Sequence, residues 1–220
     1  MGDGRSVSRM PPLRPHPVNP SKAVNNITST KSKTGPHPAM PLSHVQQQRF
    51  RQAASSHGRR KSGLRLCEGV RCCEELLARR PEWVESVAVC RSEATDPLRT
   101  ACLKAGHTVE DIAPEEMRRW AVTDNPQGIV VLFRAPPAVS ATVRGAMPCR
   151  LILDGLGDPG NLGTILRTAW AVGMMDVWLV RGTTDPFAPK AVRAGMGAQF
   201  AIRIEWVDGL SEAATLLDTA

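Results

Sequence analysis

The sequence predicts an α/β protein of two units behind a basic leader. Three observations carry this. Strand-length apolar runs alternate with helix-period segments from about residue 64 to the end. In the second half the alternation repeats as strand, loop, helix, which predicts a parallel sheet with right-handed crossovers. Charge also divides the chain. Residues 1–66 hold twelve Lys or Arg against one acid, Asp3, whereas residues 67–220 hold sixteen against twenty, so the net +7 belongs to the leader. With 42% hydrophobic residues in 220, the chain has material for a core, which excludes disordered, collagenous and coiled-coil classes.

The leader is read as a disordered segment over residues 1–62. It holds eight of the eighteen prolines and four of the five histidines, and no sustained apolar period. Such a composition buries too little surface to offset its ordering entropy. Arg- and Ser-rich, acid-poor leaders are typical of organelle transit peptides, which points to a chloroplast or mitochondrion. The alternative is a basic tail that touches RNA phosphates by charge alone, in cytoplasm or nucleus. No run reaches the ~18 apolar residues of a membrane span, so no membrane partner is expected. Nine aromatic residues and no Tyr argue against an RNA-binding sheet built on stacked rings. The six cysteines, at 67, 72, 73, 90, 102 and 149, form no Cys-x-x-Cys pair. Neither a disulfide framework nor a zinc site is expected, and they read as buried or half-buried thiols.

The first unit spans residues 63–135. Val70, Cys73, Leu76 and Leu77 recur at helical spacing, and Pro81 ends that helix. Val84–Cys90 reads as a strand, Asp96–Lys104 as a helix closed by Gly106, and Thr108–Ile112 as a short strand. Pro114–Trp120 is a helical turn with acids first and arginines last, matching the helix dipole. Residues 124–128, Asp-Asn-Pro-Gln-Gly, form a turn, and Ile129–Phe133 is a continuous apolar strand expected at the sheet centre.

Residues 136–149 read as a linker, and the second unit occupies 150–220. Its elements are a strand at Arg150–Asp154, a glycine-rich loop at Gly155–Gly160, a helix at Leu162–Val172 stopped by Gly173, and a strand at Asp176–Val180. After a loop come a helix near Lys190–Ala194, a third strand at Phe200–Ile204 and a last helix at Leu210–Leu217.

The stretch from Leu153 to Ala169 carries the chemistry. A strand end feeds a helix N-terminus, a place that suits anions and nucleotides. Pro159-Gly160 makes a tight turn, and Asn161 reads as the N-cap. Gly163 removes a side chain where another backbone or a ligand comes close. Arg167 follows four residues later on the same face and leans back toward the loop. By itself the loop fits equally an ordinary turn before a capped helix with a solvated arginine. It lacks both the dinucleotide fingerprint, because Pro159 interrupts it, and a Walker-A lysine.

Residues 158–163, Asp-Pro-Gly-Asn-Leu-Gly, then Arg167-Thr168-Ala169 and Gly173, resemble the first motif of the SpoU family of RNA ribose 2′-O-methyltransferases, in the knotted SPOUT superfamily. Residues 190–200 resemble the family's next segment, which usually has Ser where this chain has Gly195. Cys67-Glu68-Gly69 and residues 125–129 resemble the start and end of the family's substrate-binding domain. The motifs run in family order over roughly residues 64–206. The resemblance implies a small α/β substrate-binding domain followed by a SPOUT-type α/β knot domain. It implies methyl transfer from S-adenosylmethionine to a ribose 2′-hydroxyl, with ribosomal RNA the first substrate and transfer RNA the second. Arg167 and Asn161 become the expected catalytic residues, and Arg167, Asn161, Lys190 and Arg193 the expected RNA contacts.

Nothing after Ile204 resembles the family's last motifs, which form the knot and most of the cofactor pocket. The domain is therefore expected to be incomplete and its cofactor residues unassigned. A monomer is the alternative to the family's homodimer. A non-catalytic RNA-binding remnant is the alternative function.

Overall fold

In a computed structural model of the chain, the structure describes residues 42–119, 121–142 and 149–218. The N-terminal 41 residues, and with them most of the expected leader, lie outside that range. Within residues 42–62, however, the expectation of a disordered leader fails. Helix α1 (His44–Ala54) and helix α2 (Ser56–Ser62) form there. Ser43 and Gln46 make a reciprocal capping box, Ser55 caps α2, and Gly63 closes it in the left-handed conformation. Leu42, Phe50 and Ala53 are buried against Leu64, Leu66, Met117, Val130 and Leu132. Three well-placed apolar residues hold a polar helix that average composition reads as unstructured.

The first sheet has the order β1-β4-β2-β3. Strand β1 (Leu64–Glu68) pairs antiparallel with β4 (Ile129–Arg134), which pairs antiparallel with β2 (Val84–Val89), and β2 pairs parallel with β3 (Val109–Asp111). Strand β4 is inside the sheet, as its unbroken apolar run requires, and Ile129 to Phe133 are fully buried. Strand β1 has no counterpart in the sequence reading. Between the sheet's strands run helix α3 (Val70–Arg79), a 3-10 turn (Pro81–Trp83), helix α4 (Asp96–Lys104) and the short helix α5 (Pro114–Met117). Arg99 grips Asp111 through two hydrogen bonds of 2.6 and 2.5 Å, tying α4 to β3.

The second sheet, β5-β6-β7, is wholly parallel. It comprises β5 (Leu151–Leu153), β6 (Asp176–Val180) and β7 (Arg203–Val207), with helix α6 (Pro159–Ala171) crossing between the first two. Two differences from the sequence reading stand out. Phe200 lies in a short helix, α8 (Ala198–Ala201), and the third strand starts only at Arg203. Phe200 is apolar because it is fully buried, not because it is in a strand. Part of the expected linker also extends the sheet. Ala141 donates to Trp206 O at 2.8 Å and Trp206 donates to Val139 O at 2.9 Å, so residues 139–141 line the edge of β7. Helix α7 (Pro189–Ala194) precedes α8, and α9 (Leu210–Asp218) follows β7.

The two sheets share a core. Val192 and Phe200 of the second unit are buried with Cys67, Cys72, Cys73, Leu76 and Phe133 of the first. Phe200 meets Phe133 edge-on at 5.4 Å between ring centroids and Trp83 at 6.3 Å. No helix among the described residues is long and apolar enough to cross a membrane. All six cysteines are free. Burial pushes the Cys102 thiol up from 9.0 to about 11. Above pH 9 the unfolded chain therefore ionises this group while the native state does not, and stability falls as pH rises toward 11. Urea unfolding at stepped pH should show this alkaline loss, and Cys102→Ala should shrink it. It will not vanish, because burial raises the Cys67 thiol as well. An alkaline slope identical in Cys102→Ala and wild type would refute the assignment.

Candidate functional site

The glycine loop leaves β5 and enters α6 at Asp158, not at Asn161. Asp158 is extended (φ −85°, ψ 120°) and its carboxylate accepts the Asn161 N–H at 2.9 Å. Pro159 takes the first helical position, where its missing N–H and fixed φ suit the helix. The expected N-cap thus moves three residues upstream, and the Asn161 side chain is freed from capping. It is exposed, with no side-chain hydrogen bond among the described residues. The Asp158 carboxylate also receives Lys190 Nζ at 2.6 Å. That ion pair, helped by the Asn161 N–H, holds its pKa below the ordinary carboxylate value. Gly155 adopts φ +66°, and a side chain at Gly155 or Gly157 would meet nothing within 4 Å. These two glycines line open space rather than a packed turn.

Gly163 answers to a backbone. A Cβ there would lie 2.2 Å from Ala191 O, 2.8 Å from Gly195 N and 2.9 Å from Ala194 Cβ. Helices α6 and α7 therefore cross at touching distance. The Ala191 carbonyl at this crossing accepts from Gly195 N–H and from Gln199 Nε2, both at 2.8 Å. Gly195 is glycine for a related reason, since a Cβ would stand 2.5 Å from Gln199 Oε1. Gln199 fills the space that the serine usual at this motif position would need.

Arg167 is exposed on α6 and makes no ion pair or side-chain hydrogen bond among the described residues. One contact point of α6 precedes it and one follows. Gly163 rests on α7, and Trp170 lies beneath the Arg79 guanidinium of α3, 5.0 Å from ring centroid to cation. Asn161 and Arg167 are six residues apart, ~9 Å along the helix axis. No hydrogen bond joins them, so they could act together only through a substrate.

Lys190 and Arg193 serve different places. Lys190 closes on Asp158 at the mouth of the glycine loop. Arg193 faces the first unit and lines a cleft of about 150 Å³ with Gly69, Arg71, Asn125, Gln127 and Met196. Met196 is the one non-glycine residue with positive φ (50°) among the described residues. Such a conformation costs about 1–3 kcal/mol and persists only where its surroundings enforce it. Cys72 also walls this cleft. A hydrogen bond from the Cys67 thiol lowers its pKa, with a smaller contribution from Arg193. Of these residues the sequence reading had singled out only Arg193 as a site residue. Proximity across 57 or 120 positions in the chain leaves no local pattern. Among the described residues, no group of three His, Cys, Asp or Glu could hold a metal ion.

Two family models match the chain. Residues 66–139 match an RNA 2′-O ribose methyltransferase substrate-binding domain, and residues 148–220 match the SpoU rRNA methylase family. The mouse protein "rRNA methyltransferase 3, mitochondrial" is 42% identical over 101 residues, covering 42% of this chain and 24% of that one. The 23S rRNA guanosine 2′-O-methyltransferase RlmP of Bacillus subtilis is 33% identical over 146 residues, 66% of this chain and 55% of the relative. An AdoMet-bound rRNA methyltransferase structure from Sinorhizobium meliloti superposes with a TM-score of 0.65 at 27% identity, covering 80% of this chain and 67% of that one. The chain thus spans about a quarter of the mouse relative's length.

The α6–α7 crossing yields a sharp prediction. At an unconstrained helical site Gly→Ala stabilises by up to ~1 kcal/mol. At Gly163 the new methyl group must push α7 away, and the substitution should instead destabilise by about 1–3 kcal/mol. Urea unfolding measures it, and a stabilised Gly163→Ala would mean the helices do not touch as described.

Proposed function

Because this chain belongs to the SpoU rRNA methylase family, we propose that it serves as an RNA ribose 2′-O-methyltransferase acting on ribosomal RNA. The observation that carries the reading is Arg167, exposed and without an ion pair among the described residues, on the helix that leaves a glycine loop with open space around it. A ribose hydroxyl is a poor acid and must lose its proton around the transition state. A guanidinium cannot take that proton, because it stays charged at any relevant pH, so the proton passes to water as the oxygen–methyl bond forms and the sulfur–methyl bond breaks. Arg167 instead holds the target nucleotide's phosphate and stabilises the emerging oxyanion with its planar fork of donors. Asn161, relieved of capping by Asp158, offers its amide to the ribose, and Lys190 fixes the loop through Asp158.

S-adenosylmethionine supplies the methyl group as a sulfonium when bound. Two clefts among the described residues, of about 150 and 250 Å³, fall below the ~300 Å³ at which small-molecule sites begin, and no cofactor contact is assigned to either. The residues named above serve the RNA side of the reaction.

Cells lacking the protein should lose a 2′-O-methyl group from ribosomal RNA, detected as a new alkaline-cleavage position. Restoring the gene should restore it. Arg167→Ala should slow methylation by ~10²–10³, the scale of a lost oxyanion donor. Arg167→Lys should recover only part, because an ammonium lacks the fork. The melting temperature of both should match wild type, since the side chain has no partner to lose among the described residues. Methylation by Arg167→Ala at the wild-type rate would remove this assignment.

We also infer a mitochondrial location, supported by the leader's composition and by the mouse relative's name. Residues 1–62 fused to a fluorescent protein should enter mitochondria. A diffuse cytosolic signal would favour the basic-tail alternative instead.

A further inference from the structure

We propose that the cleft between the first sheet and α7 is a seat for one nucleotide of single-stranded RNA, with a phosphate held between Arg71 and Arg193 and a base edge met by the amides of Asn125 and Gln127. The proposal rests on the RNA methyltransferase reading and adds a place where the two units hold the substrate jointly.

The cleft has the chemistry of such a seat. Its floor is the start of α3, whose first N–H is taken by Gln127 Oε1 at 2.9 Å. The same helix carries Arg71 at its second position, so the helix's positive end and a guanidinium face one opening. Arg193 enters from α7, and its guanidinium makes no ion pair or hydrogen bond among the described residues. Arg71 is only loosely engaged, with Glu74 at 3.6 Å and Glu75 at 3.4 Å. Glu68 is the carboxylate in the wall, and both its oxygens are committed. One accepts from the Val122 N–H at 2.6 Å and the other from the Thr123 hydroxyl. Among the lining residues two guanidiniums stand against the Glu68 carboxylate, and because Glu74 and Glu75 offset Arg71 from outside the cleft, the free positive charge in the opening is that of Arg193.

The amide groups provide the reading edge. Gln127 accepts from Val70 through Oε1, and its NH₂ group makes no hydrogen bond among the described residues. Gly69 (φ +97°) makes room for this, since a Cβ would come within 3.0 Å of Gln127 Oε1. Asn125 is exposed, makes no side-chain hydrogen bond among the described residues, and is separated from Gln127 only by the stiff Pro126. Splayed single-stranded bases are read by such groups on their Watson–Crick edges. The cleft, of about 150 Å³, takes the phosphate, and the base edge lies at its rim on Asn125 and Gln127. Met196, held with positive φ, presents an apolar wall beside it.

Fluorescence anisotropy with short labelled RNA homopolymers and ribosomal RNA fragments tests this on the whole chain. Arg193→Gln and Arg71→Gln should each weaken binding of every sequence and flatten the slope of log K against log salt by about 0.7, one released counterion on a single strand. Asn125→Ala should weaken the preferred homopolymer by about tenfold and level the preference among bases, with the salt slope unchanged. Arg118→Gln, an exposed arginine outside the cleft, is the control and should change little. Circular dichroism confirms that each variant is folded. If wild type binds RNA and the cleft variants bind with its affinity, slope and base preference, the seat is refuted and the methyltransferase reading stands. If uridine monophosphate competes as well as the RNA, the cleft is a free-nucleotide site and the proposal also fails. If wild type binds no RNA, ribosomal fragments included, the methyltransferase reading falls with it.

Discussion

Everything that positions the site depends on one shared core, the burial of Phe200 and Val192 among residues of the first sheet. Fully burying an aromatic side chain stabilises by roughly 1.5–3 kcal/mol, and edge-on ring pairs add to it. Phe200 contributes to both effects through Phe133 and Trp83, and Phe187 joins the same ring cluster. Because Val192 is buried in that core, its neighbour Arg193 is delivered to the first unit's surface. Because α8 is anchored there, α7 is held against α6 at Gly163.

Electrostatics refines this placement without creating it. Asp185, in the loop after β6, faces Arg59 of α2 at 3.6 Å and Arg65 of β1 at 3.3 Å. The unforeseen helix α2 thereby touches the second unit as well as the first. Burial lowers the Arg59 pKa, while Asp185 works against that trend. Such half-buried pairs orient surfaces more than they stabilise them. Glu205 plays a comparable part within the second sheet. It is buried, and it accepts from Trp178 Nε1 and from the Thr142 N–H, both at 3.2 Å. It thereby ties the segment beside β7 to the sheet's central strand.

How much of this was legible depends on whether the signal was local. Asp96–Lys104 and Asp176–Val180 could be read to the residue, because apolar pattern and flanking glycines (Gly106; Gly173 and Gly182) sit within one window. Asp158 could have been found as the cap, since Pro at the first helical position marks the residue before it. Strand β1 escaped because five residues that include Arg65 and Glu68 look like the approach to α3. Helix α1 escaped because its stabilising residues, Leu42, Phe50 and Ala53, are diluted by glutamines and arginines. The family resemblance located Arg167, Asn161, Lys190 and Arg193, but which surface each addresses required the crossing of α6 and α7. The cleft was beyond reach of local pattern altogether, since β1–α3, the turn before β4, and α7 are separate in sequence.

The Ala191 carbonyl sets a rule for how this protein can change over generations. It is contacted by Gly195, Gln199 and the bare face of Gly163 at once. Gln199 Oε1 is buried nearby with no hydrogen-bond partner among the described residues. Residues 163, 195 and 199 are therefore not free to drift singly. A hydroxyl acquired at 195 needs Gln199 to withdraw or shrink, and a smaller residue at 199 leaves the carbonyl with the Gly195 N–H as its remaining donor. Replacements around this atom are coupled. Descendants of this sequence can cross from the glycine–glutamine pair to a serine-bearing one only by a narrow path, along which the helix contact that carries the loop has to be preserved at every step.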